Sequence, residues 1–159
     1  MRRIVIIALA VHAAGCAVAV RGHIGVARVA GETTVTGGIS LGGGVALPSG
    51  GAVIASGGLS HGVEAAADVV YLAPTARIGV RGGAAVGLDF LTEDSTRSVR
   101  VAPLLRVSRP GHPERTAAIG IEAALLQRRH DHSDGPPPSL GGSVELSVEL
   151  YRFPSSLPR

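Results

Sequence analysis

Apolar and polar residues alternate with a period of two along most of this chain, most clearly between residues 75 and 90. One face of that segment is aliphatic, and the other carries arginine, glycine and aspartate. Successive side chains of a β-strand point to opposite sides, so this period predicts strand rather than helix. Segments with the period of an amphipathic helix are hard to find, and we therefore expect an all-β chain.

Seven further segments repeat the alternation: residues 23–30, 33–47, 52–59, 64–73, 98–108, 116–128 and 143–152. Glycine, proline and short polar runs lie between the segments, where hairpin turns need them. Eight such segments with short links form a meander, which predicts an eight-stranded antiparallel up-and-down β-barrel. Pro103 lies inside one segment, and its missing N–H predicts a sheet edge, a bulge or a shifted register.

The N-terminus has the three parts of a secretory signal peptide. Arg2 and Arg3 are followed by the apolar residues 4–11 and then by small residues. The apolar run is shorter than the roughly 20 residues that a membrane-spanning helix needs. We therefore expect export, with a signal peptide over residues 1–19, a β-barrel domain over 20–153 and a C-terminal tail over 154–159.

Two cleavage sites compete within this signal. Residues 13–16 (AAGC) resemble a bacterial lipobox, which implies cleavage after residue 15 and lipidation of Cys16. Residues 17–19 (AVA) form an A-x-A site for ordinary signal peptidase, which would leave Val20 first. Cys16 is the sole cysteine, and a free thiol in an oxidising envelope calls for an explanation that lipidation supplies. The lipobox is the favoured interpretation, and the alternative stays open.

The charge pattern argues against a nucleic-acid partner. All 15 basic residues are arginines and the formal net charge is +3, but the arginines are dispersed and only four aromatic residues accompany them. Base stacking and phosphate binding require basic and aromatic residues to cluster. We expect no nucleic-acid partner and no cofactor.

The polar face of the predicted strands combines small residues with charges of both signs, which suits a narrow lumen in which charges must pair. The residues predicted to form this lumen charge network are Arg77, Arg81, Asp89, Arg100, Arg106, Glu122, Glu145 and Glu149. The alternation alone leaves open whether the aliphatic face meets lipid or forms a core.

Over nearly the whole mature region, this pattern resembles the small eight-stranded outer-membrane barrels of the OmpA/OmpX type. The resemblance implies a non-enzymatic protein in the outer membrane of a Gram-negative bacterium, with the lipid bilayer as its partner. Loops at one rim, above all residues 129–142, are the expected contact surface. The alternative is a lipid-tethered periplasmic β-barrel or β-sandwich binding module with an apolar interior.

Two short motifs contain side chains that could act as a nucleophile or as metal ligands. Residues 58–62 (GLSHG) match the G-x-S-x-G of hydrolases, with Ser60 as nucleophile, but that elbow needs a strand-to-helix turn within a larger α/β fold. A hairpin loop is the favoured interpretation. His130 and His132 are weak candidate metal ligands, because no further histidine or cysteine is spaced to complete a site. We predict no catalytic residue.

Overall fold

The computed structural model describes residues 15–47, 50–60, 62–73, 75–90, 94–108, 115–129 and 137–154. These residues form eight strands in one closed antiparallel barrel, which confirms the predicted fold class. The strands are β1 (Cys16–Val29), β2 (Glu32–Ala46), β3 (Gly51–Leu59), β4 (Gly62–Tyr71), β5 (Ile78–Asp89), β6 (Ser95–Arg106), β7 (Thr116–Arg129) and β8 (Ser139–Arg152). Across these ranges, no helix is long and apolar enough to cross a membrane.

Each strand pairs with its neighbour in sequence, and β8 pairs with β1 to close the barrel. The β1–β2 hairpin turns over Ala30 and Gly31, both of which have positive φ angles. Two central residues of positive φ define a tight turn whose twist matches that of the flanking strands. The tight turn therefore holds β1 and β2 in their observed register.

The register determines the width of the barrel. Following paired residues once around the barrel from Val18 leads back to Arg28 in the same strand, a displacement of ten residues. For eight strands, this displacement corresponds to a strand tilt of about 40° and a barrel radius of about 8 Å. A barrel of this width is narrow enough for its side chains to fill much of the lumen.

All eight predicted segments are strands, but several boundaries differ from the prediction. β1 begins at Cys16, seven residues before the predicted segment, because residues 16–19 pair with β2. β8 begins at Ser139 and β7 extends to Arg129, so the connection expected over 129–142 is shorter. In each case the ladder continues through small or polar residues that blur the alternation.

Pro103 faces outward from β6 within a closed barrel, so it lies at no sheet edge. The pairing of β6 with β7 is interrupted at Ala102 and Pro103, and the same register resumes at Leu104. Proline has no N–H to donate a hydrogen bond to the neighbouring strand. The result here is a local gap in the pairing and not a bulge.

The two ends of the barrel differ inside. The end where β1 starts and β8 ends is here called the termini end. Buried apolar side chains fill the lumen at this end and are here called the apolar layer: Ala17, Ala46, Ala52, Ile54, Val70, Leu72, Ala102, Leu104, Ala118, Tyr151 and Phe153. The rings of Tyr151 and Phe153 stack there with centroids 5.9 Å apart. The opposite end, where β1 turns into β2, is called the far end.

Leu104 and Leu105 test this inward–outward assignment, because they are adjacent and face opposite sides. Leu104 is 1% exposed and Leu105 is 52% exposed. We expect Leu104→Ala to lower the free energy of unfolding by about 2–5 kcal/mol, the usual cost of such a cavity in a packed interior. Leu105→Ala, the matched control, should cost clearly less. Equal losses in equilibrium urea unfolding would contradict the assignment.

Candidate functional site

The middle of the lumen holds a cluster of buried charges next to the apolar layer. Its arginines are Arg21 on β1, Arg81 on β5 and Arg100 on β6, and its carboxylates are Glu64 and Asp68 on β4, Glu122 on β7 and Glu149 on β8. These seven residues are here called the charge layer. Six of the eight strands contribute to it.

Glu149 and Arg81 form its most completely bonded pair. Arg81 Nε lies 3.2 Å from both carboxylate oxygens of Glu149, and Nη2 lies 2.9 Å from Oε1. Ser147 Oγ donates to Glu149 Oε1 over 2.7 Å, and the Tyr151 hydroxyl donates to Oε2. A buried carboxylate needs this many donors to offset the loss of its hydration.

The remaining arginines bridge separate strands. Arg100 binds both oxygens of Asp68, at 3.1 Å from Nε and 2.8 Å from Nη2, while its Nη1 lies 2.8 Å from Glu64 Oε1. Arg21 Nη1 donates to Glu122 Oε2 over 2.9 Å. Arg81 Nη1 also lies 2.6 Å from Glu122 Oε2, an ion pair without hydrogen-bond alignment. The layer therefore ties opposite walls of the barrel together.

Gly83 makes room for one of these pairs. It faces Asp68 across the β4–β5 ladder, and a Cβ at this position would collide with Asp68 Oδ1 and the carbonyl of Ala67. The adjacent Gly82 faces outward, where the nearest atom to such a Cβ is 3.7 Å away. The absence of a side chain at residue 83 lets Asp68 reach Arg100.

Beyond the charge layer, the lumen opens toward the far end in a cavity of about 220 Å³. Its wall includes Glu145, which accepts a hydrogen bond from Thr36 Oγ1 at 3.0 Å and lies 3.8 Å from His23 Nε2. Arg128 and Asp94 form an ion pair of 2.7 Å, and Arg128 lines this cavity. Within the charge layer, by contrast, a cavity measures only about 20 Å³, roughly the space for one water.

The eight residues predicted to form one lumen charge network lie in different regions of the barrel. Arg81, Arg100, Glu122 and Glu149 lie in the charge layer, and Glu145 lines the far-end cavity. Arg106 is buried nearer the termini end, where its Nη2 donates to the carbonyls of Leu72 and Ala73. Asp89 lies at the cavity rim, and Arg77 is exposed before the start of β5.

Sequence reasoning missed three members of the charge layer. Arg21 was overlooked because the first strand was predicted to begin at residue 23. Glu64 and Asp68 lie on the inward positions of a segment whose outward residues are partly alanine, which weakens the alternation. Their spacing of four residues on one strand face was the available signal, since it places both carboxylates on the same side.

Ser60, the candidate nucleophile, lines the far-end cavity together with His23 and Glu145. Ser60 lies between β3 and β4, two strands, rather than at a strand-to-helix elbow. Among the described residues, no three histidine, cysteine, aspartate or glutamate side chains are grouped to hold a metal ion. His130 and His132 lie outside the described residues. Cys16 is exposed at the first position of β1.

The outer wall of the barrel is aliphatic on every strand. Its exposed side chains include Val20, Ile24, Leu41, Val53, Val69, Val80, Val86, Val101, Ile121, Leu146 and Val148. The seven carboxylates of the strands all point inward, either buried or lining the far-end cavity. The charged residues on outward strand positions are all arginines: Arg28, Arg97 and Arg129 near the far end and Arg152 at the termini end.

Comparison with known proteins identifies no relative of this chain. No protein-family model matches, no curated protein matches, and no solved structure matches.

Arg81 provides a direct test of the charge layer. We expect Arg81→Met to lower the free energy of unfolding by about 3–5 kcal/mol, because it leaves Glu149 buried without its cation and removes one of the two arginines beside Glu122. The exposed Arg77, changed to Met, is the control and should leave the urea midpoint unchanged. Adding Glu149→Gln to Arg81→Met should recover part of the loss. A midpoint unaffected by Arg81→Met would refute the layer's structural role.

Proposed function

We propose that this protein is a non-enzymatic β-barrel of the outer membrane of a Gram-negative bacterium, with the aliphatic outer wall in contact with lipid. The observation that supports the proposal most is the inside-out distribution of polarity. The strand carboxylates lie inside the barrel, while the outer wall is apolar around the whole circumference. Outer-membrane barrels combine a lipid-facing apolar band with a polar interior.

The height of the apolar wall also fits a bilayer. From Leu140 to Leu150, β8 rises about 33 Å at roughly 3.3 Å a residue, which is about 25 Å along the axis at a tilt of about 40°. Outward arginines lie at both ends of the wall, and the exposed aromatics Tyr71 and Phe90 lie at opposite ends. Aromatic and cationic side chains favour the two interfaces of a membrane.

The filled lumen argues against a channel. The apolar layer and the charge layer fill the lumen from the termini end to its middle, where a cavity between side chains holds about one water. We therefore infer a closed barrel whose accessible interior is the far-end cavity. The periplasmic alternative requires an apolar interior, whereas three arginines and four carboxylates occupy the centre of this lumen.

Thiol labelling in cells tests the membrane proposal. Val86 faces outward and is 55% exposed, while Ser98 on the neighbouring strand lines the far-end cavity. With the full-length chain in a Gram-negative host, we expect Val86→Cys to react only with a lipid-soluble maleimide and Ser98→Cys to react with a small water-soluble one. The parent chain, with Cys16 alone, reports the background. Labelling of Val86→Cys by the water-soluble reagent would overturn the proposal.

We further propose that the chain matures by cleavage before Cys16 and that Cys16 is lipidated. Residues 16–19 pair with β2, and Ala17 is 1% exposed within the apolar layer. Cleavage after Ala19 would remove these four residues from the barrel wall. Cys16 occupies an outward position beside Val18, so an attached lipid would extend along the apolar wall.

Intact-mass analysis of the mature protein decides between the two cleavage sites. We expect a chain that begins at Cys16 and carries the added mass of a diacylglyceryl group and an N-acyl chain. Cys16→Ser should accumulate as an uncleaved precursor without lipid. A mature chain that begins at Val20 and lacks lipid would refute the lipoprotein assignment without affecting the barrel.

A further inference from the structure

Four outward residues form a polar patch at the far end of β6 and β7, just beyond the aliphatic wall. Ser95 is paired across the ladder with Arg129, and Arg97 is paired with Gln127. Directly opposed side chains start about 5 Å apart, and the diagonal pair of arginines starts about 7–8 Å apart. Both guanidinium groups can therefore approach one ligand. These four residues are here called the β6–β7 patch.

The β6–β7 patch offers hydrogen-bond donors and positive charge. Within the described ranges, neither Arg97 nor Arg129 forms an ion pair, and the strand carboxylates all point inward. A cavity of about 160 Å³ lies between the four side chains and Pro138. Two neighbouring arginines repel each other, and an anion between them removes that repulsion.

The wall next to the patch is apolar. Val99 and Leu125, paired across the same ladder, are the next outward residues toward the middle of the barrel, and they are 66% and 75% exposed. A ligand bound at the arginines would therefore have aliphatic surface directly beside it. From the far end toward the middle of the barrel, the charged patch is followed by apolar surface. A phospholipid has the same arrangement, with its phosphate followed by its acyl chains.

We propose that the β6–β7 patch binds the phosphate of an anionic membrane lipid, with the lipid's acyl chains lying against Val99 and Leu125. Guanidinium groups pair with phosphate through charge-assisted hydrogen bonds, and Ser95 and Gln127 add neutral donors. The adjoining apolar wall favours a lipid phosphate over free inorganic phosphate. The inference rests on the proposed membrane location of the barrel and assigns a lipid class to one part of its wall.

The test measures lipid binding to the full chain purified from the membrane fraction in detergent. Dioleoyl phosphatidic acid is titrated and the bound lipid counted by native mass spectrometry. We expect Arg97→Ala/Arg129→Ala to bind it about thirtyfold more weakly, because each arginine at an anionic lipid surface contributes a factor of about five. Arg28→Ala/Arg152→Ala removes two other outward arginines and should weaken binding much less. All four positions are exposed, and circular dichroism checks that each variant is folded.

Competition with inorganic phosphate tests whether the patch binds a lipid phosphate or free phosphate. If the lipid is the ligand, millimolar phosphate should not displace phosphatidic acid, because it makes no contact with Val99 or Leu125. Displacement at concentrations similar to those of the lipid would overturn the lipid assignment. Equal binding by the parent and Arg97→Ala/Arg129→Ala would overturn the site itself. A parent chain absent from the membrane fraction would instead refute the proposed function.

Discussion

The narrow lumen is the constraint on which the rest of this structure depends. Eight strands with a register displacement of ten residues enclose a barrel of about 8 Å radius, which leaves little space beyond that taken by inward side chains. Any charge placed there loses its hydration and must find a partner inside the barrel. This requirement explains why Arg81 and Glu149 are hydrogen-bonded to each other. It also explains why residue 83 is a glycine, since a side chain there would collide with Asp68.

The outer wall is the counterpart of this polar interior. A barrel that encloses its charges has only one other face on which to place its aliphatic residues, and here that face is continuous around the circumference. Such a surface is far larger than the apolar patches that soluble monomers expose, and it is the basis of the proposed membrane location. The proposed membrane location, the arginines at both margins and the proposed lipid site all depend on this reversal of the usual polarity.

The interior changes along the barrel axis, and the change limits what the molecule can do. Apolar packing around Leu104 and Tyr151 closes the termini end, the charge layer ties the walls together, and a cavity opens at the far end. The far-end cavity and the outer wall are therefore the surfaces available for contact with other molecules. The closed part of the lumen contains both the packed side chains and the cross-lumen ion pairs, so substitutions there are expected to destabilise the barrel most.

Local alternation was sufficient to predict the eight strands and the face on which each residue lies, because side-chain direction in a strand depends only on position parity. The alternation thus placed Arg81 and Glu149 on the polar face. It did not identify their partners, and it overlooked Arg21 and Asp68, because contact across a barrel depends on the strand register and the displacement around the closed sheet. Only the tertiary structure decides which way the aliphatic face points, since both directions fit the same period. The charges of the other face find partners on distant strands, such as Arg21 with Glu122 and Arg81 with Glu149, only when the closed sheet brings those strands together around the lumen.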